Sequence, residues 1–288
     1  MSDKKRILIT GASTGFGFDT AKALAERGHI VYATMRGVKE KNAEHAEALR
    51  SWAESGGHAL HVLELDVTRG ASVDAAVAAA NEEGGIDVVI NNAGVGVFNI
   101  DEGFTVEQAP QVFDVNLFGV MRVTRAVLPR MREAGRGLII YVTSGLGRFV
   151  LPFMGIYNSS KFALEGYAET VDIETAPLGI ESLILQPGAF GTAFSAKVPQ
   201  PANDLVGEYG PAAEMFEAFA GNFAAMAEAG HLGDPQMVVE ALVEEVERPA
   251  GSRALRRTVG HDIEGPVSAI NRTCAEAREE LHKTFGLG

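Results

Sequence analysis

Tyr157 and Lys161 stand four residues apart in the run Tyr157-Asn158-Ser159-Ser160-Lys161. On a helix that spacing places a phenol and an ammonium on one face, one turn apart. A nearby cation favours phenolate, so the pair could give and take a proton near neutral pH. The same spacing also arises by chance on an ordinary helix surface. A second group lies near the start, Thr10-Gly11-Ala12-Ser13-Thr14-Gly15-Phe16-Gly17, between a short apolar run and a helical pattern. Glycines let a backbone turn tightly and approach a pyrophosphate, whose charge is favoured at a helix N-terminus. Strand, turn and helix follow in the order that dinucleotide binding requires, although a plain strand-to-helix turn can use glycines too.

The next apolar run ends in Tyr32-Ala33-Thr34-Met35-Arg36. A site for NAD usually carries Asp or Glu about 20 residues after the glycine loop, on the adenosine ribose. Here Met35 and Arg36 stand instead. An acid repels a 2′-phosphate and a guanidinium pairs with it, so NADP is expected ahead of NAD. The alternative is that Arg36 is a solvated surface residue.

Taken together, these marks resemble the short-chain dehydrogenase/reductase family over nearly the whole chain, roughly residues 5–257. Gly11, Gly15 and Gly17 are followed by Asp66-Val67, then Asn91-Asn92-Ala93-Gly94, then Asn116. Ser144 comes thirteen residues before Tyr157, and Pro187-Gly188 with Thr192 follow Lys161. More weakly, residues 32–36 resemble the NADP-preferring branch that includes hydroxysteroid and retinol dehydrogenases. The resemblance implies a single-domain, doubly wound Rossmann-type α/β fold and hydride transfer between a nicotinamide and a carbonyl or alcohol carbon.

It also implies roles. Tyr157 would be the general acid or base, and Ser144 would hydrogen-bond the substrate oxygen. Lys161 would hold the nicotinamide ribose and depress the Tyr157 pKa, and Asn116 would position a water on a proton path. Gly11, Ser13, Thr14, Gly15, Phe16 and Gly17 would cradle the pyrophosphate, with Arg36 on the 2′-phosphate. Asp66 and Val67 would meet the adenine, and Asn91 and Ala93 the adenosine side. Pro187, Phe190 and Thr192 would meet the nicotinamide carboxamide. Phe190 is a departure, an aromatic where a branched aliphatic is frequent. Read singly, Asp66 can equally cap a helix, Ser144 close a turn and Asn116 tie down backbone.

The elements that must position these groups are legible as alternation. Apolar runs at residues 7–9, 30–33, 59–65, 88–90, 138–142 and 180–185 alternate with helical patterns such as Ala21, Leu24 and Ala25, or Val73, Ala76, Val77 and Ala80. Continuously apolar strands are covered on both faces, as in a parallel sheet wound with right-handed crossovers. Residues 254–257 read as a last strand, after a helix at about 235–246. Two segments stand apart from the alternation, an insertion over residues 190–233 and a C-terminal helical extension over 262–288. Five of the fifteen Phe lie between Phe190 and Phe223. With Phe149, Leu151, Phe153 and Met154 they suggest walls for a bulky apolar ketone, aldehyde or alcohol. Packing within the protein or against another subunit is the competing reading.

Composition narrows the remaining classes. The chain has 288 residues, 46% hydrophobic and 22% charged, ordinary for a globular protein that needs no metal or disulfide staple. Its net charge of −13 opposes nucleic acid and anionic lipid as main partners. A single Cys, Cys274, and no long apolar segment lead to a cytoplasmic expectation without membrane spans. The seven His form no compact ligand motif, so no metal is expected. Ser144 lacks the flanking pattern of a nucleophile elbow, which disfavours a hydrolase. An epimerase or dehydratase is disfavoured by chain length and glycine spacing. A nucleotide-binding regulator without turnover is the alternative function. The family resemblance implies a homodimer or homotetramer built from the helix at residues 112–131 and the Tyr157 helix.

Overall fold

A computed structural model describes residues 4–82, 84–191, 199–261 and 263–286. Seven parallel strands run in the order β3-β2-β1-β4-β5-β6-β7. They are β1 (Arg6–Ile9), β2 (Ile30–Met35), β3 (Leu60–Glu64), β4 (Val88–Asn91), β5 (Gly137–Val142), β6 (Ile180–Pro187) and β7 (Arg256–Val259). The chain moves outward from β1 to β3, then crosses back to place β4 against the other side of β1, with Ile7 opposite Val88. This reversal is the topological switch point, outside whose strand ends doubly wound folds hold their ligands. The last strand begins at Arg256 rather than Ala254, because Arg256 is the first residue in register with β6, opposite Ile184.

Each expected apolar helix face is buried. Helix α1 (Gly15–Glu26) buries Ala21, Leu24 and Ala25, and helices α2 (Ala43–Gly56) and α3 (Gly70–Glu82) follow; α3 buries Val73, Ala76, Val77 and Ala80. Two apolar cores result. One lies under α1 and α2 around Ile7, Ile9, Leu24 and Leu49; the other, around Leu8, Val77, Ile139 and Leu164, lies on the opposite face. Alternate residues of β1 thus serve opposite cores, which explains why central strands read as unbroken apolar runs. Edge strand β3 departs from that rule, with His61 and Glu64 exposed.

Helix α4 (Ala109–Phe113) continues through a π-helical segment, Asp114–Gly119, into α5 (Val120–Ala134). Helix α6 (Gly155–Thr175) follows β5. The insertion leaves β6 and returns at one point, where Phe190 and Gly233 form an isolated bridge. Within it helix α7 (Pro211–Glu228) has no fully buried residue. Helix α8 (Gln236–Glu247) precedes β7, and α9 (Glu264–Phe285) closes the described chain. α9 buries only Val267 and docks largely through polar contacts, including Asn271 and Arg278.

Candidate active site

The ends of β4 and β5, the π-helical segment and the start of α6 converge beside the switch point. Ser144 follows β5 in extended conformation and caps the short 3-10 turn Gly145–Gly147, its Oγ accepting from the Leu146 N–H at 3.1 Å. Tyr157 lies in the first turn of α6 and Lys161 in the next. Just ahead of that helix, Phe153 takes a positive φ of 65°, a costly conformation for a residue with a Cβ. Lys161 Nζ donates to the Val142 carbonyl at 3.1 Å and stands 5.7 Å from the centre of the Tyr157 ring. Asn116 is fully buried: its Oδ1 accepts from Val95 N–H at 2.9 Å, and its Nδ2 donates to Val95 O at 2.8 Å and Ser160 Oγ at 3.0 Å. A methyl added at Gly94 would stand 3.5 Å from Asn116 Oδ1 and 3.9 Å from Lys161 Nζ. Asn116, Gly94 and Lys161 therefore meet at one point.

Burial sets the protonation of this group. The Tyr157 ring packs with Val97, Phe104, Val112 and Leu146. Burial pushes its phenol up to about 12, and the hydrogen bond with Ser144 offsets only part of the rise. The direction is opposite to the depression expected from Lys161, and removal from water is its cause. Burial likewise lowers Lys161 to about 8, against the opposing pull of the Glu165 carboxylate. The result is a phenol that keeps its proton at neutral pH beside an ammonium that can lose one.

The glycine loop is built for close approach. Gly11 has φ +70°, and a methyl there would lie 2.8 Å from Ala93 Cα. At Gly17 a methyl would lie 2.5 Å from Asn92 Nδ2 and 2.6 Å from Gly11 O. Thr10 and Asn92 hold this geometry. Thr10 Oγ1 accepts from the Asn92 and Ala93 N–H groups, each at 3.0 Å, and Asn92 Nδ2 donates to Thr10 O and Gly11 O. The loop, with Ser13, Thr14 and Gly15 at its crest, leads straight into α1, and Thr14 places no capping side-chain hydrogen bond there. Asn91 at the end of β4 is buried, and neither its side-chain oxygen nor its nitrogen has a partner among the described residues. Such a group costs free energy unless a ligand satisfies it. Orphaned Asn91, the glycine crest and the helix N-terminus together fit a dinucleotide.

Arg36 is exposed just past β2, and its charge, with that of Lys41, acts on Asp66. Burial raises the Asp66 carboxyl, but hydrogen bonds from Thr68 and those two cations outweigh it and hold the group below its usual range. Thr68 donates to Asp66 Oδ1 through both its N–H and its hydroxyl, so Asp66 does cap a turn. Val67 packs beneath Gly119 of the π-helical segment. Phe16 and Phe190 meet edge to face at 5.6 Å, bringing together the glycine loop and the segment just past Pro187, the last residue of β6. Thr192 lies outside the described residues. Phe98, Phe153, Phe216 and Phe219 form an aromatic cluster in which Phe98 stacks on Phe216 at 5.0 Å and on Phe219 at 5.7 Å. α7 is thereby seated over the loops that follow β4 and β5.

Reasoning from sequence missed several members. Lys41 sat in the run Lys39-Glu40-Lys41, a local cluster of charge that could have flagged it. Thr10 and Asn92 lay inside quoted motifs without a role. Phe98 and Glu165 had no local signal, because their partners come from distant parts of the chain. Among the described residues no cluster of three or more His, Cys, Asp or Glu could hold a metal, and no helix is long and apolar enough to cross a membrane.

Known proteins show the same pattern. A family model described as short chain dehydrogenase matches residues 5–203. A 3-ketodihydrosphingosine reductase of Bacteroides thetaiotaomicron is 43% identical over 190 residues, 66% of this chain and 65% of that protein. Human retinol dehydrogenase 8 is 35% identical over 197 residues, 67% of this chain and 61% of that protein. The chain thus spans slightly under two thirds of the length of either relative. Among solved structures, an alcohol dehydrogenase from the archaeon Thermococcus sibiricus, complexed with 5-hydroxy-NADP, superposes with a TM-score of 0.72 at 27% identity. That match covers 92% of this chain and 99% of the other. With the fold, the glycine crest and the Ser144, Tyr157 and Lys161 group in place, the chain belongs to the short-chain dehydrogenase family.

Proposed function

We propose that this chain is an NADP(H)-dependent oxidoreductase that interconverts a bulky apolar ketone or aldehyde and its alcohol, with Tyr157 as general acid and base. The observation that carries the reading is the convergence of Ser144, Tyr157 and Lys161 beside a glycine loop whose neighbour Asn91 is buried without a partner. When bound, a nicotinamide supplies or accepts the hydride. The residues suited to hold the dinucleotide are Gly11, Ser13, Thr14, Gly15, Phe16 and Gly17 at the pyrophosphate, with Arg36 and Lys41 toward a 2′-phosphate. Asp66, Val67, Asn91 and Ala93 suit the adenosine half, and Lys161, Pro187, Phe190 and Thr192 the nicotinamide half.

Tyr157 holds its proton at neutral pH and delivers it to the oxygen of a carbonyl being reduced. Ser144 Oγ hydrogen-bonds that oxygen as negative charge develops on it. Lys161 resupplies the proton, and Asn116 steadies the backbone beside it. The aromatic cluster of Phe98, Phe153, Phe216 and Phe219 excludes water and gives a hydrocarbon substrate a surface to bury. Relatives named for 3-ketodihydrosphingosine and for retinol support this choice.

A homodimer or homotetramer is part of the same reading. Phe118 on the π-helical segment and Phe162 and Ile173 on α6 are exposed apolar residues on the expected contact helices. A cytoplasmic location and small-molecule partners complete it. The test is NADPH oxidation, followed by absorbance, with a panel of ketones of increasing apolar bulk. Tyr157→Phe should lose nearly all turnover and retain nucleotide affinity; a variant as fast as the parent protein would refute the assignment.

A further inference from the structure

Glu165 lies one helical turn beyond Lys161, on the same face of α6, and is only 2% exposed. Burying a carboxylate is expensive unless it is paired and hydrogen-bonded. Here it accepts three hydrogen bonds and lies in a further ion pair. Oε1 accepts from Thr143 Oγ1 and from Gln186 Nε2, both at 2.9 Å. Oε2 accepts from Arg256 Nε at 3.0 Å, with Arg148 Nε at 3.6 Å. A methyl added at Gly147 would lie 2.7 Å from Glu165 Cγ, so the turn opened by Ser144 rests directly on this side chain.

Three of these partners adjoin the proposed site. Thr143 precedes Ser144, Gln186 precedes Pro187, and Arg148 ends the Ser144 turn. The network then reaches α9. Asn271 Nδ2 donates to Gln186 Oε1 at 2.7 Å, and Arg148 Nε donates to Asn271 Oδ1 at 3.0 Å. Arg256 also donates to Glu169 at 2.6 Å, which Arg278 of α9 holds from its other oxygen at 2.7 Å. One carboxylate therefore ties together the catalytic helix, the ends of β5 and β6, β7 and the C-terminal helix.

A neutral amide could make part of such a clamp, but it would leave Arg148 without its carboxylate, leave Arg256 only Glu169, and remove the negative charge one turn from Lys161. Lys161 is faced by Tyr157 and Glu165 from its own helix and by the Val142 carbonyl from β5. Arg148 from the Ser144 turn and Arg256 from β7 face it across Glu165, and Glu169 and Arg278 balance one another behind them. On this reading, which rests on the proposed roles of Ser144, Tyr157 and Lys161, we infer that Glu165 is a positioning residue. It fixes the Ser144 turn against the catalytic helix and sets the charge balance beside Lys161, with Arg256 as its counterweight.

Removing a negative charge favours proton loss from every nearby group, whether ammonium or phenol, and removing a positive charge does the reverse. Glu165→Gln should therefore lower the Lys161 titration midpoint, and Arg256→Met should raise it. Each shift should be about one to two pH units, the size that unit charges roughly 6–12 Å apart give at an effective dielectric near 20. The midpoint is read on the whole protein without nucleotide or substrate, by NMR of lysine labelled at Cε and Nζ, with Lys161→Arg to assign the signal. The rising limb of alcohol oxidation against pH should move the same way in both variants. Glu165→Gln should also lower kcat by about 10-fold or more, with NADPH affinity within about threefold.

Opposite shifts are the signature that a merely structural role would not produce. If both variants titrate like the parent protein, or both shift in one direction, the inference is overturned. If Glu165→Gln does not fold, Arg256→Met decides alone, because Glu165 keeps Arg148 and Glu169 keeps Arg278: an alkaline shift supports the inference and no shift refutes it. The titration needs no turnover, so an active Tyr157→Phe variant would remove the reaction assignment without deciding this result.

Discussion

Thr10→Val isolates the tie between the glycine loop and β4. Thr10 is 1% exposed, and its Oγ1 accepts two backbone N–H groups, those of Asn92 and Ala93, each at 3.0 Å. Valine has nearly the same shape, so packing is preserved and no cavity forms. What changes is that the Ala93 N–H loses its acceptor in a place that water reaches poorly, while the Asn92 N–H keeps the Ile90 carbonyl at 3.0 Å. Each orphaned group costs about 1–3 kcal/mol. The orphaned Ala93 N–H should therefore cost about 1–3 kcal/mol, which corresponds to a fall in Tm of roughly 2–5 °C for a chain of this size. The loop displacement should also reach Gly11, whose conformation is fixed against Ala93 at close contact. NADPH affinity should fall with stability, by about 10-fold or more.

Circular dichroism against temperature and urea gives the first quantity, and quenching or transfer fluorescence on NADPH titration gives the second. Thr10→Ser is the rescue, since it keeps the acceptor and loses only a methyl, at about 1 kcal/mol. A Thr10→Val protein with parental Tm and parental affinity would refute the claim that this hydroxyl organises the cradle.

Other outcomes follow from the same geometry. Arg36→Gln should weaken NADPH by about 10-fold and leave NADH nearly unchanged, the discount for solvent exposure being included; equal effects on both nucleotides in a fluorescence titration would remove Arg36 from the 2′-phosphate. Gly17→Ala forces a methyl to within 2.5 Å of Asn92 Nδ2, so calorimetry should show nucleotide binding lost or reduced at least 10-fold. Lys161, lowered to about 8, predicts that carbonyl reduction holds up to near pH 8 and declines above it, while alcohol oxidation rises through the same range; profiles of kcat/KM in both directions check the sign. Phe216→Ala removes a ring stacked on Phe98 at 5.0 Å and should raise KM for the bulkiest apolar ketone by about 10-fold, with little change for a small one.

Periodicity and spacing determined a great deal by themselves. Residues 7–9 read as a buried strand, Val73, Ala76, Val77 and Ala80 as a buried helix face, and Gly11, Gly15 and Gly17 as a sharp turn before a helix, because each signal is carried by neighbours within one or two turns. Tyr157 and Lys161 were legible for the same reason, since an i, i+4 pair shares a face on any helix that forms. Tertiary structure alone decided what surrounds them. The Tyr157 phenol is raised rather than lowered because Val97, Phe104, Val112 and Leu146, far apart in the chain, close around it. Arg256 reaches Glu165 across 91 residues, and Phe98 finds its stacking partners on α7, more than a hundred residues away. Desolvation and long-range ion pairing depend on which segments the sheet order brings side by side, and that adjacency has no local imprint in a sequence.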